Sequence, residues 1–301
     1  MARRPLIVSS ANVRLKAVRR LARRGAPGLC LAEGARSVRA AFAAGAGVEE
    51  LYIAPELLAG GRDADLVAAA ERSGVDVVEL GAAALATVTE RRPDGILAVI
   101  RRPSTAFDAL DLPREPLVAV AVAIERPGNL GTIARTACAA GVDLLLVADP
   151  RTDVFHRDAI RGSVGAVFKL RCVVAATEQA LAWLREHEIR IVATTPAAPA
   201  AYWMPSYTGG VAVVLGSERH GLTRAWLEAA DDRVAVPAHG PVDSLNVAVA
   251  AGVVLCEAAR ARASAAGRSV QRPAPPGTAR GTPSHTGGPA RRAGSRPRAS
   301  G

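Results

Sequence analysis

From Val211 the chain reads VAVVLGSERHGL as far as Leu222, and from Val234 it reads VAVPAHGPVDSLNVAVAAGVVLC as far as Cys256. Two short apolar runs, 211–215 and 234–236, each stop at a turn of Gly, Pro and small polar residues. Apolar runs this short, without alternation, are expected of parallel strands buried on both faces. The turns after them then lie at strand carboxyl ends, where open α/β sheets bind ligands. The second turn is read to open into a long helix whose first turn holds Ser244 and Asn246.

Outward from that stretch the same grammar repeats. PLVAVAVAI (116–124) is a near-continuous apolar strand, and ERPGNLGTIARTACAAG (125–141) a loop entering a helix that stops at Gly141. Residues 143–148, 167–174 and 189–195 read as further strands, with helices from Arg157, over 177–188, and from the second turn to about Ala263. Ahead of them, strands at 29–32, 51–54, 75–80 and 96–100 alternate with helical stretches, EGARSVRAAFAAG among them. The expectation is an α/β fold: a small α/β domain over 1–105, a polar, Pro-punctuated linker at 106–115 and a second α/β domain over 116–263. Residues 264–301 contain no acid and almost no large apolar side chain, and are expected to form a disordered basic tail.

The formal net charge is +10, which points to a polyanion, but seven arginines lie in the tail and weaken that argument for the folded part. Better local support is the helical pattern at 10–24, where Arg14, Lys16, Arg19, Arg20, Arg23 and Arg24 surround Val13, Val18 and Leu21 with no acid before Glu33. Those six cations, with Arg36 in the next helical stretch, are the candidate contacts to the phosphates of a polyanion, a merely solvated face being the alternative. The four cysteines fall singly in apolar runs and read as reduced core thiols. No apolar run reaches the roughly 20 residues of a membrane span, so a soluble, cytoplasmic protein is expected.

Asn129, in Pro127-Gly128-Asn129-Leu130-Gly131, reads equally well as a helix cap and as a site residue. Arg135, among Ile133, Ala134 and Ala137, must find an anion or reach solvent. Gly216 to Gly221 has the glycine separation of a phosphate loop, but Leu222-Thr223 replaces the Lys-Ser/Thr which that motif needs. His220 alone is more often an exposed loop residue than a catalyst. No Ser/His/Asp set and no metal-ligand spacing is present, so no metal is expected. Asp243 or Ser244 can serve as a helix cap, whereas Asn246, between Leu245 and Val247, is harder to explain as structure.

Four segments in order resemble the SpoU (TrmH) family of RNA ribose 2′-O-methyltransferases, within the SPOUT superfamily: PGNLGTIARTA from Pro127, GSVGAVF from Gly162, LGSERHGL from Leu215, and Pro237 with Ser244-Leu245-Asn246-Val247. The first domain, through LAEGARSVRAA and PDGILAVIRRP, is more loosely similar to the ribosomal-protein-like substrate-binding domain often fused in front. The resemblance implies a deep trefoil knot, a homodimer and S-adenosylmethionine held in the knotted loops by Leu215, Gly216, Val236, Pro237 and Leu245, with Thr194 beside it. It also implies that Asn129, Arg135, Glu218, Ser244 and Asn246 are the catalytic polar positions. Arg135 is the family's favoured base candidate. An arginine stays protonated, so gripping a phosphate or stabilising oxyanion charge is the physically easier role. Val236-Pro237-Ala238 departs from the family's Ile-Pro-Met. The implied substrate is structured RNA, with 23S ribosomal RNA favoured over transfer RNA. A non-catalytic RNA-binding or ribosome-assembly factor on the same fold and a nucleotide-binding α/β enzyme unrelated to RNA are the alternatives.

Overall fold

The all-apolar runs become strands covered on both faces. The computed structural model describes residues 6–7, 12–90, 93–108, 110–241 and 244–267. In the first half these are β1 (Leu6–Ile7), α1 (Val13–Arg24), β2 (Leu29–Glu33), α2 (Ala35–Ala43), β3 (Val48–Ile53), α3 (Gly61–Arg72), β4 (Asp76–Leu80), α4 (Ala82–Ala86) and β5 (Ile96–Arg101). The second half has β6 (Leu117–Val122), α5 (Pro127–Ala139), β7 (Leu144–Ala148), α6 (Arg157–Gly162), β8 (Arg171–Ala175), α7 (Thr177–Glu186), β9 (Arg190–Thr194), β10 (Ala200–Ala201), β11 (Val211–Leu215), α8 (Arg224–Ala229), β12 (Asp232–Ala235) and α9 (Val247–Ala265).

Two sheets result. The first has the order β1-β4-β3-β5-β2, with β5 antiparallel to both β2 and β3. Cys30, Ala32, Ile53 and Ile100 turn to α2 and α3, while Leu31, Tyr52, Val78 and Leu97 turn to α1 and α4. This splits the candidate RNA-binding set. α1 carries six of its cations on one face of the sheet, whereas Arg36 on α2 is exposed on the other. Arg14 pairs with Asp76 and Arg19 donates to Thr87, which leaves Lys16, Arg20, Arg23 and Arg24 as the exposed cations of α1.

The second sheet is wholly parallel in the order β10-β12-β9-β11-β6-β7-β8. Leu117, Ala119 and Ala121 face α5 and α9, and Val118, Val120 and Val122 face α7 and Trp226 of α8. Strand order reverses at β6 and β11. The loops after β6, β9, β11 and β12 therefore converge at one end of the sheet, where a crevice opens outside the strand ends. Pro127 at the first turn of α5 loses nothing by lacking an N–H, since helix-start donors have no partner in any case. α5 lies so close to α6 that a Cβ on Gly131 would stand 2.3 Å from the Ala159 carbonyl oxygen. Gly131→Ala is accordingly expected to push α6 off α5 and cost about 1–3 kcal/mol, read as a lower melting temperature. An unshifted melt would show that the helices have slack.

Several local readings change. Residues 167–174 divide into a 3-10 turn (Ala166–Phe168) and β8, because the chain enters through positive φ at Val164 and Gly165. The expected linker is a strap: Thr105 accepts a bond from Val174 N–H (2.9 Å) on the open edge of β8, Phe107 stacks on Trp183 (5.3 Å), and Leu110 and Leu112 pack on the core. Cys30 and Cys172 are core thiols, each pushed up to about 12 by burial, but Cys138 is half-buried and Cys256 exposed on α9. α9 runs past the expected tail boundary to Ala265; residues 268–301, and with them most of that tail, lie outside the described residues.

Candidate active site

The crevice is a cavity of about 620 Å³, within the range of small-molecule sites. Its walls are turns rather than side-chain-rich surfaces. Leu215 and Gly216 end β11, Thr194 ends β9, Val236 follows β12, and Ser244, Leu245 and Asn246 lead into α9. Asn129 and Glu218 complete the polar side. Of the residues expected here, Pro237 and Arg135 do not line the cavity. Six residues after Asn129 on a helix of 3.6 residues per turn, Arg135 points about 120° away around α5. It is exposed there, and no hydrogen bond to it exists among the described residues.

The two asparagines resolve differently from the sequence reading. Asn246 is itself the cap of α9, its Oδ1 accepting from Ala248 N–H at 2.9 Å. Asp243 lies outside the described residues. With Oδ1 committed to the helix, Asn246 can only offer Nδ2, and this donates to Asn129 Oδ1 at 3.4 Å. Asn129 in turn presents Nδ2 to Glu218 Oε1 at 2.6 Å. Asn129 is no cap, since the helix boundary falls at Arg126. A polar relay thus crosses the crevice from α9 through α5 to the loop after β11, and each amide's orientation is set by the next.

Glu218 also accepts from Glu125 N–H at 3.1 Å, and Arg219 pairs with Glu125 at 3.2 Å, tying the loop after β6 to that after β11. Partial desolvation pushes the Glu218 carboxyl up. The bonds from Asn129 and from the N–H groups of Glu125, Glu218 and Arg126 outweigh it and hold its pKa below the ordinary carboxylate value. A depressed folded-state pKa adds stability above the unfolded value of about 4.3, and that stability is lost as pH falls through the folded value. Glu218→Gln should therefore be less stable than wild type near pH 7, with the deficit shrinking in urea titrations as pH falls through and below the ordinary carboxylate range. A deficit independent of pH would assign the effect to packing.

The turn itself is tight. Ser217 and Gly221 exchange backbone hydrogen bonds at 3.1 and 3.0 Å, and Ser217 Oγ accepts from His220 N–H. Thr194 Oγ1 is buried at the cavity wall without a hydrogen-bond partner among the described residues. Arg126, Thr195, Ser217 and His220 also line the cavity, though none was a candidate site residue in the sequence. Ser217 and His220 lie within the LGSERHGL segment, and Arg126 and Thr195 adjoin Pro127 and Thr194. Among the described residues no group of three or more His, Cys, Asp or Glu could hold a metal ion, and no helix is long and apolar enough to cross a membrane.

A sequence profile of the SpoU rRNA Methylase family matches residues 116–256, and one of the MRM3-like substrate binding domain matches residues 12–98. The 23S rRNA (guanosine-2′-O-)-methyltransferase RlmB of Escherichia coli (strain K12) is 32% identical over 175 residues, 56% of this chain and 72% of that enzyme. A crystal structure of an RNA 2′-O ribose methyltransferase, 37% identical, superposes with a TM-score of 0.76 over 85% of this chain and 98% of that one. The AdoMet-bound rRNA methyltransferase from Sinorhizobium meliloti, 28% identical, has a TM-score of 0.76 over 85% and 97%. With both halves matched in order, and three of the four motif segments contributing to one crevice, the chain belongs to the SpoU rRNA Methylase family.

Proposed function

We propose that this chain methylates the ribose 2′-hydroxyl of a nucleotide in 23S ribosomal RNA, with S-adenosylmethionine as donor. The observation that carries the reading is the relay Asn246–Asn129–Glu218 at the mouth of a turn-walled crevice in a chain of this family. The residues present fit the donor. Backbone-lined turns at Leu215–Gly216, at Val236 and before Asn246 suit an adenosyl group, and the unpartnered Thr194 Oγ1 awaits a polar atom. Pro237, outside the cavity wall, would hold the turn after Val236 in shape. When bound, the donor supplies an already activated sulfonium methyl. The protein's task is then alignment and charge. Asn129 and Asn246, locked by their partners, orient the ribose, with Ser244 as a further hydroxyl beside them. Glu218, held ionised by its donors, is a weak base and acts by fixing Asn129.

RNA docking falls to the first domain, residues 1–105, through the exposed cations of α1, while residues 116–263 carry the chemistry. The working unit in this reading is a homodimer. α9 is apolar nearly all round, and its Val249 (53% exposed) and exposed Cys256 stand beside the exposed face of α5, where Thr136 meets Gly252. Such a helix calls for a covering partner. A dimer closed over α5 and α9 brings Arg135 to the seam, where it grips RNA phosphate. The trefoil knot and a cytoplasmic location complete the reading.

Calorimetry should show S-adenosylmethionine binding that EDTA leaves unchanged, and tritiated methyl groups should pass to 23S rRNA in preference to bulk transfer RNA. Binding lost in EDTA, or label entering transfer RNA instead, would reject it.

A further inference from the structure

Arg157 opens α6 in the second half of the chain, yet its partners are in the first. Its guanidinium meets Glu33, at the end of edge strand β2, and Glu90 (3.4 Å), and donates to the Val88 carbonyl (3.1 Å). Arg161, one turn on, faces the same two carboxylates at 3.9 and 3.5 Å and pairs with Asp158. The side chains of Arg157 and Glu33 are only 10% and 9% exposed. Arg102, just past β5, makes a two-pronged pair with Asp153 (2.8 and 2.7 Å) and lies over the Phe155 ring. Gly165 sits so close to α2 that a Cβ would stand 2.7 Å from Ser37 O and Ala40 Cβ. One apolar core runs through both halves beneath these contacts.

An apolar seam tolerates sliding. A largely buried Arg–carboxylate pair such as Arg157–Glu33 does not, since displacement strands charge away from water. Burial and the neighbouring Arg161 already push the Arg157 guanidinium pKa down, so its carboxylates cannot be spared. α6 also abuts the first turn of α5 without intervening side chains, at Gly131 and at Gly162 near the Gly128 carbonyl. The helix that grips the first domain therefore backs the helix that presents Asn129.

We propose that Arg157, with Glu33, is a positioning residue that locks the RNA-docking domain at one fixed placement relative to the crevice, and that this placement selects the nucleotide methylated. The proposal rests on the functional reading above for its substrate. The lock is a claim about the protein alone.

Two measurements test it on the full chain. With a 23S rRNA transcript as probe, Arg157→Ala should raise KM for RNA about ten-fold or more, while kcat stays within about three-fold and cofactor affinity within about two-fold. Arg157→Lys, which keeps a cation facing Glu33 and Glu90, should restore part of the KM, whereas Arg157→Met, which keeps the bulk without the charge, should not. Separately, spin labels at exposed positions Ser73→Cys and Glu178→Cys, with the exposed native thiol removed by Cys256→Ser and the labelled chain diluted into excess unlabelled chain so that only distances within one copy are read, should give one narrow distance distribution that Arg157→Ala broadens. A broad distribution in the otherwise native chain overturns the lock. Unchanged KM in a folded Arg157→Ala protein, or parallel losses of kcat, cofactor affinity and melting temperature, overturns the positioning role. A native protein that transfers nothing to rRNA sinks the functional reading and the claim of nucleotide selection with it, and the label distances remain to distinguish that failure from failure of the lock.

Discussion

The Arg135→Ala protein is expected to fold, to keep the native oligomeric state and to bind S-adenosylmethionine as the native chain does, and to transfer methyl groups about 10²–10³-fold more slowly. The expectation follows from where the side chain is. Arg135 is exposed on α5, is tied to nothing among the described residues and points away from its own crevice, so the fold loses little with it. In the proposed dimer a second copy covers that face, and the proposed use of the cation is at the seam. Arg135→Lys should recover little, because a point charge lacks the planar fork that grips a phosphate. Mixing provides the sharper outcome. If Arg135 serves the partner's crevice, a hybrid of Arg135→Ala with Asn129→Ala carries both lesions in one site and none in the other. Unfolding and refolding the two inactive proteins together should then restore about a quarter of wild-type activity, half the dimers being hybrids with one intact site of two. No recovery places Arg135 at its own site; loss of activity that tracks the melting temperature makes it structural.

Gly216→Ala should do the reverse and abolish cofactor binding first. A Cβ there would lie 2.4 Å from the Gly221 carbonyl carbon and 2.6 Å from the Leu222 nitrogen. Both are backbone atoms of the returning arm of the turn, held by the paired bonds between Ser217 and Gly221, so no flexible side chain can yield. Opening the turn costs about 1–3 kcal/mol, and at 1.4 kcal/mol per decade the Kd for S-adenosylmethionine should rise about 10- to 100-fold. The same movement displaces Glu218 from Asn129, so transfer falls further than affinity. Unchanged affinity would put the cofactor elsewhere.

Both predictions depend on features with different legibility in the sequence. The strands Leu117–Val122 and Val211–Leu215 could be read because burial on both faces leaves an uninterrupted apolar run. Their partners and the crevice at their ends followed from general behaviour of parallel sheets. What Asn129 does could not be read locally, since its partners Glu218 and Asn246 are 89 and 117 residues away. Asn246 looked unlike a cap because Asp243 and Ser244 offered themselves first, yet its own Oδ1 holds Ala248 N–H. Arg135 was placed in the site by resemblance to the family's motif. Its azimuth on a helix starting at Pro127 shows that motif membership and shared location are separate things. The segment at 106–115 looked like a linker by Pro113 and its charges. Phe107, Leu110 and Leu112 bind it to the second core, and such spaced single hydrophobes carry no periodic signal. The Arg157–Glu33 contact, 124 residues apart, had no local trace at all.

The most direct test of the account is to incubate the purified chain with S-adenosylmethionine and unmodified 23S rRNA, digest the RNA to nucleosides and identify the methylated product by mass spectrometry. A single 2′-O-methylated nucleoside is expected, with the methyl group on the ribose and the base unaltered, absent when Asn129→Ala replaces the native chain. A base-methylated nucleoside, or rRNA left unmodified by a protein that binds the cofactor, would contradict it.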